Sequence, residues 1–286
     1  MDFNLRLYHL LSIPNIKFEH IKWVIKYSDN LQLLYQKQFI EAFSKQFPRF
    51  SSFSSSIQSR TIPLIIERFL KEDGQILTIF DTKYPLLLKE IYQPPLILFA
   101  KGNIDYLFEN KICAIVGSRT PTQYSIEVIG SIIPTLVKNE IITVSGLAQG
   151  VDYLVHHKTI EQKGKTIAVI GGGLNHIYPK SNEKFAEFLM NHQLVISEYL
   201  PNTIPQKWHF PARNRIISGL SKVTLVVEAK KKSGSLITAN YALQEGRNVM
   251  AVPGSIFHPL SEGCNELIAA GARPMCKVED ILEEIM

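Results

Sequence analysis

The spacing of apolar residues divides the chain into two parts. Up to about residue 65 they recur at helical spacing, as Leu7, Leu10 and Leu11 and then Ile21, Val24 and Ile25, with Pro14 and Asn15 as a break between them. This predicts a small all-helical module over residues 1–65. The serine-rich stretch 43–60, with Pro48, has the composition of a linker. Phe47, Phe50, Phe53 and Ile57, however, supply anchors that a flexible spacer lacks, so a loosely packed loop and short helix are expected there. Residues 66–110 read as a connecting segment: Asp81, Tyr84, Pro85, Pro94 and Pro95 mark turns framing short strands around the apolar residues 96–99.

From residue 111 the pattern becomes short β-rich runs alternating with helical stretches. The runs are 112–116, 141–144, 166–170, 194–197, 223–227 and 249–252. Such alternation predicts βαβ units and an α/β domain over residues 111–286: a Rossmann-like, mostly parallel sheet with helices on both faces. Near-continuous apolar character in Cys113 to Val116 and Leu225 to Val227 fits strands buried on both sides.

Composition narrows this little. A net charge of +5 over 286 residues is compatible with a polyanionic partner without identifying one. Cys113, Cys264 and Cys276 are scattered and form no CxxC pair, so neither a disulfide framework nor a metal site is expected, and a reducing cytoplasm fits. No apolar run approaches the roughly 18 residues of a spanning helix. A soluble, cytoplasmic protein without membrane attachment is therefore expected.

In a doubly wound sheet, ligands bind beyond the carboxyl ends of the strands. The residues following each apolar run are Gly117, Ser118, Arg119 and Thr120; Ser145 and Gly146; Gly171, Gly172 and Gly173; and Glu228 with Lys230 to Ser235. Glycines permit close backbone approach, amides at a helix start point at anions, and an arginine fork suits phosphate, so this rim reads as a phosphate cradle. Any single glycine here fits an empty strand-to-helix turn equally well. It is neither the GxGxxG dinucleotide fingerprint nor the GxxxxGK[ST] nucleotide loop, so no cofactor is expected. A GxSxG elbow is also missing, which leaves His156 and His157 without an exposed serine to activate.

Two further clusters lie near the rim. Trp208, His209 and Phe210 precede Arg213, Asn214 and Arg215, just ahead of a predicted helical stretch at 216–220. Aromatics that stack bases beside cations that hold phosphates suit single-stranded nucleic acid. The same residues fit a core-anchored ring with Arg213 and Arg215 paired to acids, and both readings stand. The other cluster, His176 to Lys180, places Lys180 near the rim, although a lone lysine more often faces solvent.

Five ordered stretches, namely Ile115 to Arg119, Ser145 to Asp152, Phe210 to Leu220, Ser233 to Ala239 and Val252 to Gly254, together resemble the DNA-processing protein A (DprA/Smf) family over roughly residues 75–286. The helical module resembles that family's SAM-like domain. The resemblance implies an extended Rossmann domain that binds single-stranded DNA, forms a homodimer, has no catalytic residues, and delivers DNA to a RecA-type recombinase during natural transformation. By the same resemblance Arg119 would hold a phosphate and Lys180 would add a second cation. Gly117, Ser118, Ser145, Gly146, Gly172, Ser233, Gly234, Ser235 and Thr238 would line the pocket, with Arg213 and Asn214 closing it; Phe210, from the aromatic cluster read above, is the ring expected to stack a base. Many members continue into a winged-helix-like domain, whereas this sequence ends at Met286, so functions resting on that domain are not expected. Apolar residues around Leu267, Ile268 and Met275 are the expected dimer face. The rival reading is a nucleotide phosphoribohydrolase of the lysine-decarboxylase-like superfamily. Its turn should carry an acid-base glutamate, but the turn at 233–240 has no carboxylate, leaving Glu228 as the candidate.

Overall fold

The computed structural model describes residues 2–28 and 30–285. Five helices come first: α1 (Phe3–Leu11), α2 (Phe18–Tyr27), α3 (Lys37–Gln46), α4 (Phe53–Gln58) and α5 (Thr61–Lys71). Asp2 caps α1 by accepting from the Leu5 amide at 2.7 Å. The serine-rich stretch is better packed than its composition predicts. Phe53 stacks on Phe43, Phe47 and Phe50 flank the His20 ring, and Phe53 and Ile57 are buried while the serines between them lie at or near the surface. Aromatic burial outweighs the linker-like propensity of serine. Residue 65 falls inside α5, whose Phe69 packs edge-on against Phe99 of the sheet with ring centroids 5.6 Å apart.

The remaining elements follow in order: β1 (Gln75–Thr78), α6 (Leu86–Glu90), β2 (Ile97–Gly102), β3 (Ile112–Val116), α7 (Gln123–Lys138), β4 (Ile142–Ser145), α8 (Val151–Glu161), β5 (Thr166–Val169), α9 (Glu183–His192), β6 (Leu194–Ser197), α10 (His209–Gly219), β7 (Val223–Val226), α11 (Gly234–Gln244), β8 (Asn248–Ala251), α12 (Glu262–Ala269), β9 (Arg273–Pro274) and α13 (Glu279–Ile285). They build one nine-stranded sheet in the order β1-β2-β6-β5-β4-β3-β7-β8-β9. Strands β3 to β9 pair in parallel, while β1 with β2 and β2 with β6 pair antiparallel. The mostly parallel α/β sheet is therefore as expected. The connecting segment contributes two of its strands, and the two-residue β9 is too short to leave an apolar run.

Alternating residues of the central strands feed two cores. On one face, Ala114, Val116 and Val144 join Ile216 and Ile217 of α10 and Ala239 of α11. On the other, Cys113, Ile115 and Val223 meet α7, α8 and α13 through Ile129, Val155 and Ile281. Beside that second core, Ala168, Ile170 and Val195 share a cluster with the N-terminal helices and α9. Two residues expected at a dimer face lie inside these cores instead. Leu267 packs with Cys264 under β8 and Met275 packs with α13, each under a tenth exposed, and Ile268 is half-buried. Period-3.6 burial along α12 explains this, since Leu267 falls three residues after Cys264 on the inner face. No described helix is long and apolar enough to cross a membrane.

Candidate functional site

The chain builds the sheet outward from β3 through β4, β5 and β6, then returns to the other side of β3 with β7, β8 and β9. The reversal between β3 and β7 is the switch point where a crevice opens beyond the strand ends. A cleft of about 680 Å³ lies there, walled by residues 117–120 after β3, by Lys230 and residues 233–235 after β7, and by one side of α10.

Two glycines fasten the wall that follows β3. Gly150, just before α8, has φ +83°, and a Cβ there would stand 2.3 Å from the Ser118 carbonyl oxygen. Only glycine lets the Val151 amide donate to that oxygen at 3.0 Å. A Cβ on Gly117 would likewise meet the Val151 side chain at 2.8 Å. The Ser118 hydroxyl accepts from the Thr120 amide at 3.1 Å, which tightens the turn. Arg119 is left exposed on the cleft and pairs with no described acid. Opposite it begins α11, with Ser233 as its N-cap and the Ser233 and Ser235 hydroxyls 2.8 Å apart. Its first-turn amides and positive dipole end face the cleft, as an anion site requires. Asn214 pins this end by donating from Nδ2 to the Gly234 carbonyl at 3.2 Å.

Beneath the cleft lies a buried charged group. Arg213 donates from Nη1 to the Val169 carbonyl at 2.8 Å, and its guanidinium faces the Asp152 carboxylate across Gly146. Burial pushes the Arg213 pKa down to about 10 against the pull of Asp152, so Arg213 stays charged at neutral pH. Burial raises Asp152, while Arg213 and the Ala148 amide oppose that rise. His156 is buried nearby, with Nδ1 2.7 Å from the Thr166 hydroxyl. Its pKa is pushed down to about 3 by burial and by the Arg213 charge, so the ring is neutral.

Most of the expected residues come together. Gly117, Ser118, Arg119, Phe210, Arg213, Asn214, Ser233, Gly234, Ser235 and Thr238 all line the cleft. Four do not. The Ser145 hydroxyl is buried and donates to the Ile115 carbonyl at 2.7 Å. Gly146 makes room for Arg213, whose Nη1 a Cβ would meet at 1.7 Å, and Gly172 makes room for Pro205. Lys180 is exposed at the start of a short 3-10 turn outside the cleft wall, and its neighbour Tyr178 reaches the wall instead. Tyr178 sets its ring 5.4 Å from that of Phe210. Thr120 and Lys230, expected on the rim, line the cleft as well, and so do Tyr178 of the 176–180 cluster and Lys207; Lys207 is the one the sequence reading missed, and it stands directly before Trp208, which was the available signal.

The two readings of the aromatic and arginine cluster turn out to divide by residue. Helix α10 starts at His209, earlier than expected, so Arg213 and Arg215 leave it on different sides. Arg215 pairs with Glu198 at 2.5 Å, away from the cleft, while Phe210 and Asn214 face it. Glu228 is buried and accepts from the Thr122 amide and hydroxyl at 3.0 and 2.6 Å and from the Ser125 hydroxyl at 2.5 Å. It caps α7.

Comparison with known proteins bears on the fold and the family. The chain is 45% identical over 224 residues to the DNA processing protein DprA of Bacillus subtilis, covering 78% of this chain and 75% of that one. Its fold is similar to the X-ray structure of DNA processing protein A from Streptococcus pneumoniae, with a TM-score of 0.79 at 37% identity over 100% of this chain and 99% of the other. It is also similar to a DNA processing protein A from Helicobacter pylori whose structure concerns its single-stranded DNA binding mode. That match has a TM-score of 0.66 at 30% identity, over 73% and 94% of the two chains. With its sequence model matching residues 75–286, three quarters of the molecule and all nine strands of the sheet, the DNA recombination-mediator protein A family is the one to which this chain belongs.

Proposed function

We propose that the cleft binds single-stranded DNA without breaking any bond in it. The observation that carries this is the unpaired Arg119 and the start of α11 at one switch-point cleft that also exposes the Phe210 and Tyr178 rings. Phosphates sit between the arginine and the helix amides, and a base splayed out of a single strand stacks on the rings; a duplex keeps its bases inside and presents none. Lys207 and Lys230 add cations along the backbone path. The single-stranded DNA binding of the Helicobacter pylori relative supports the same reading. Against hydrolysis, Glu228 is committed to capping α7, and Asp152 is buried opposite Arg213. In this proposal the protein acts as a homodimer, protects incoming strands and hands them to a RecA-type recombinase during natural transformation.

The test is a salt-titrated binding assay of the whole chain with single- and double-stranded oligonucleotides, alongside Arg119→Ala. Preference for the single strand, lost in the variant, is the expected result. Equal affinity for both forms, indifference to Arg119, or release of base from a nucleoside monophosphate by the pure protein overturns it.

A further inference from the structure

Beyond the cleft, the two most exposed large apolar side chains of the described residues stand side by side: Ile256 at 79% and Phe257 at 90% exposure. They sit at the tip of the loop between β8 and α12, on the same carboxyl edge of the sheet as the cleft. The loop's flanks are tied down. The Tyr124 hydroxyl donates to the Pro253 carbonyl at 2.7 Å, and the Asn265 side chain bonds both the amide and the carbonyl of Gly254. At its far end the Ala229 amide donates to the Leu260 carbonyl, and the Gly263 amide donates to the Ala229 carbonyl, both at 2.8 Å. The next residue after Ala229 is Lys230, a wall of the cleft. Cleft and loop are thus fixed to one piece of backbone.

Charge and shape point the same way. Lys230 and Lys232 make no ion pair with any described residue, whereas Lys231 is held by Glu266 at 2.7 Å. A second hollow of about 400 Å³, lined by Thr122, Tyr124, Glu228, Gly254, Ser255, His258 and Ser261, begins where the 117–120 wall ends, and both oxygens of its one carboxylate, Glu228, are taken up by Thr122 and Ser125. Protein-protein contact patches are depleted of lysine at their centres, so a projecting phenylalanine on a loop bonded to the backbone just ahead of the unpaired lysines suits a polyanion with aromatic faces better than a protein partner.

We propose that this loop is a second contact station for the strand leaving the cleft, with Phe257 stacking a base and Lys230 and Lys232 holding the backbone between the stations. The proposal rests on the reading of the cleft as a single-strand site. It predicts a footprint longer than the cleft, and therefore an affinity that depends on strand length through a residue outside the cleft.

The experiment measures binding of the full chain and of Phe257→Ala to thymidine oligonucleotides of about 4 and about 16 nucleotides, the span of site sizes common in single-strand folds. Removal of the ring should weaken the long strand about five-fold or more and leave the short strand unchanged. Phe257→Trp should restore the affinity, and the tryptophan fluorescence it adds over the unaltered chain, which carries Trp23 and Trp208, should be quenched by the long strand alone. A 90% exposed side chain is not needed for folding, so an unchanged melting temperature checks that the variant is intact. Identical binding of the long strand with and without the ring overturns the proposal. So does a change in light-scattering mass with binding unaffected, which assigns the loop to contact between copies. If the unaltered chain fails even with the short strand, the cleft reading has failed; loss of the loop station alone leaves short-strand binding in place.

Discussion

Arg119 and Arg213 show how one residue type takes two roles within one cleft. Arg119 stands free at the end of a turn, so Arg119→Ala should weaken single-strand binding for all sequences and lower the salt slope by about one released counterion. Plots of log affinity against log salt for the two proteins check this. Arg213 is buried against Asp152, so Arg213→Met should leave a buried carboxylate uncompensated and cost about 3–5 kcal/mol of stability, read by denaturant unfolding. Phe210→Ala should weaken binding by about 1–3 kcal/mol with the salt slope unchanged, since stacking releases no counterion. Residue identities and their order were legible in the sequence. Burial was not, because it depends on which helix face Arg213 leaves, and that follows from where α10 begins.

Glu228 matters at the scale of elements. It follows β7 by two residues yet accepts two hydrogen bonds from Thr122, the N-cap of α7, and one from Ser125 in its first turn, a hundred residues earlier in the chain, joining the two sides of the switch point. Glu228→Ala leaves the Thr122 amide and the Ser125 hydroxyl unpaired and should cost about 2 kcal/mol, measured as a fall in the denaturation midpoint. Strand-binding affinity should change less than stability, because Glu228 is buried away from the phosphate end of the cleft. The parallel strands were readable because burial on both faces leaves continuous apolar runs. Helix α10 was only half readable: with Arg213 buried and Asn214 and Arg215 turned to different neighbours, its first two turns show no apolar period. In the serine-rich stretch the short helix was legible but its tight packing was not, since the contacts of Phe47 and Phe50 with His20 do not appear as local periodicity.

The stability of the whole molecule should depend on pH through His156. Its folded pKa of about 3 lies below the ordinary 6.5, so on acidification the unfolded chain takes up a proton that the folded chain refuses. Stability is full above about pH 6.5 and falls as the pH drops toward 3. His156→Gln should flatten part of that fall between about pH 6.5 and pH 4, as unfolding free energies at a series of pH values would reveal. Buried His9, His20 and His209, each lowered by desolvation, act in the same direction, as does Asp280, held down by the Lys277 and Cys276 amides.

By itself the sequence determined the alternation of elements, the parallel core strands, the glycine and serine rim and the candidate Arg119, because these depend on neighbours a few residues apart. Tertiary structure alone decided that β1 and β2 close the sheet antiparallel, that Ser145, Gly146 and Gly172 pack beneath or beside the cleft rather than line it, and that Tyr178 and Lys207 complete its wall. It also buried Leu267 and Met275 and left Phe257 in solvent. The physical reason is that apolar spacing records whether a residue has an inner face. What stands against that face, and which polar groups are left over to meet a ligand, depends on contacts between segments far apart in the chain.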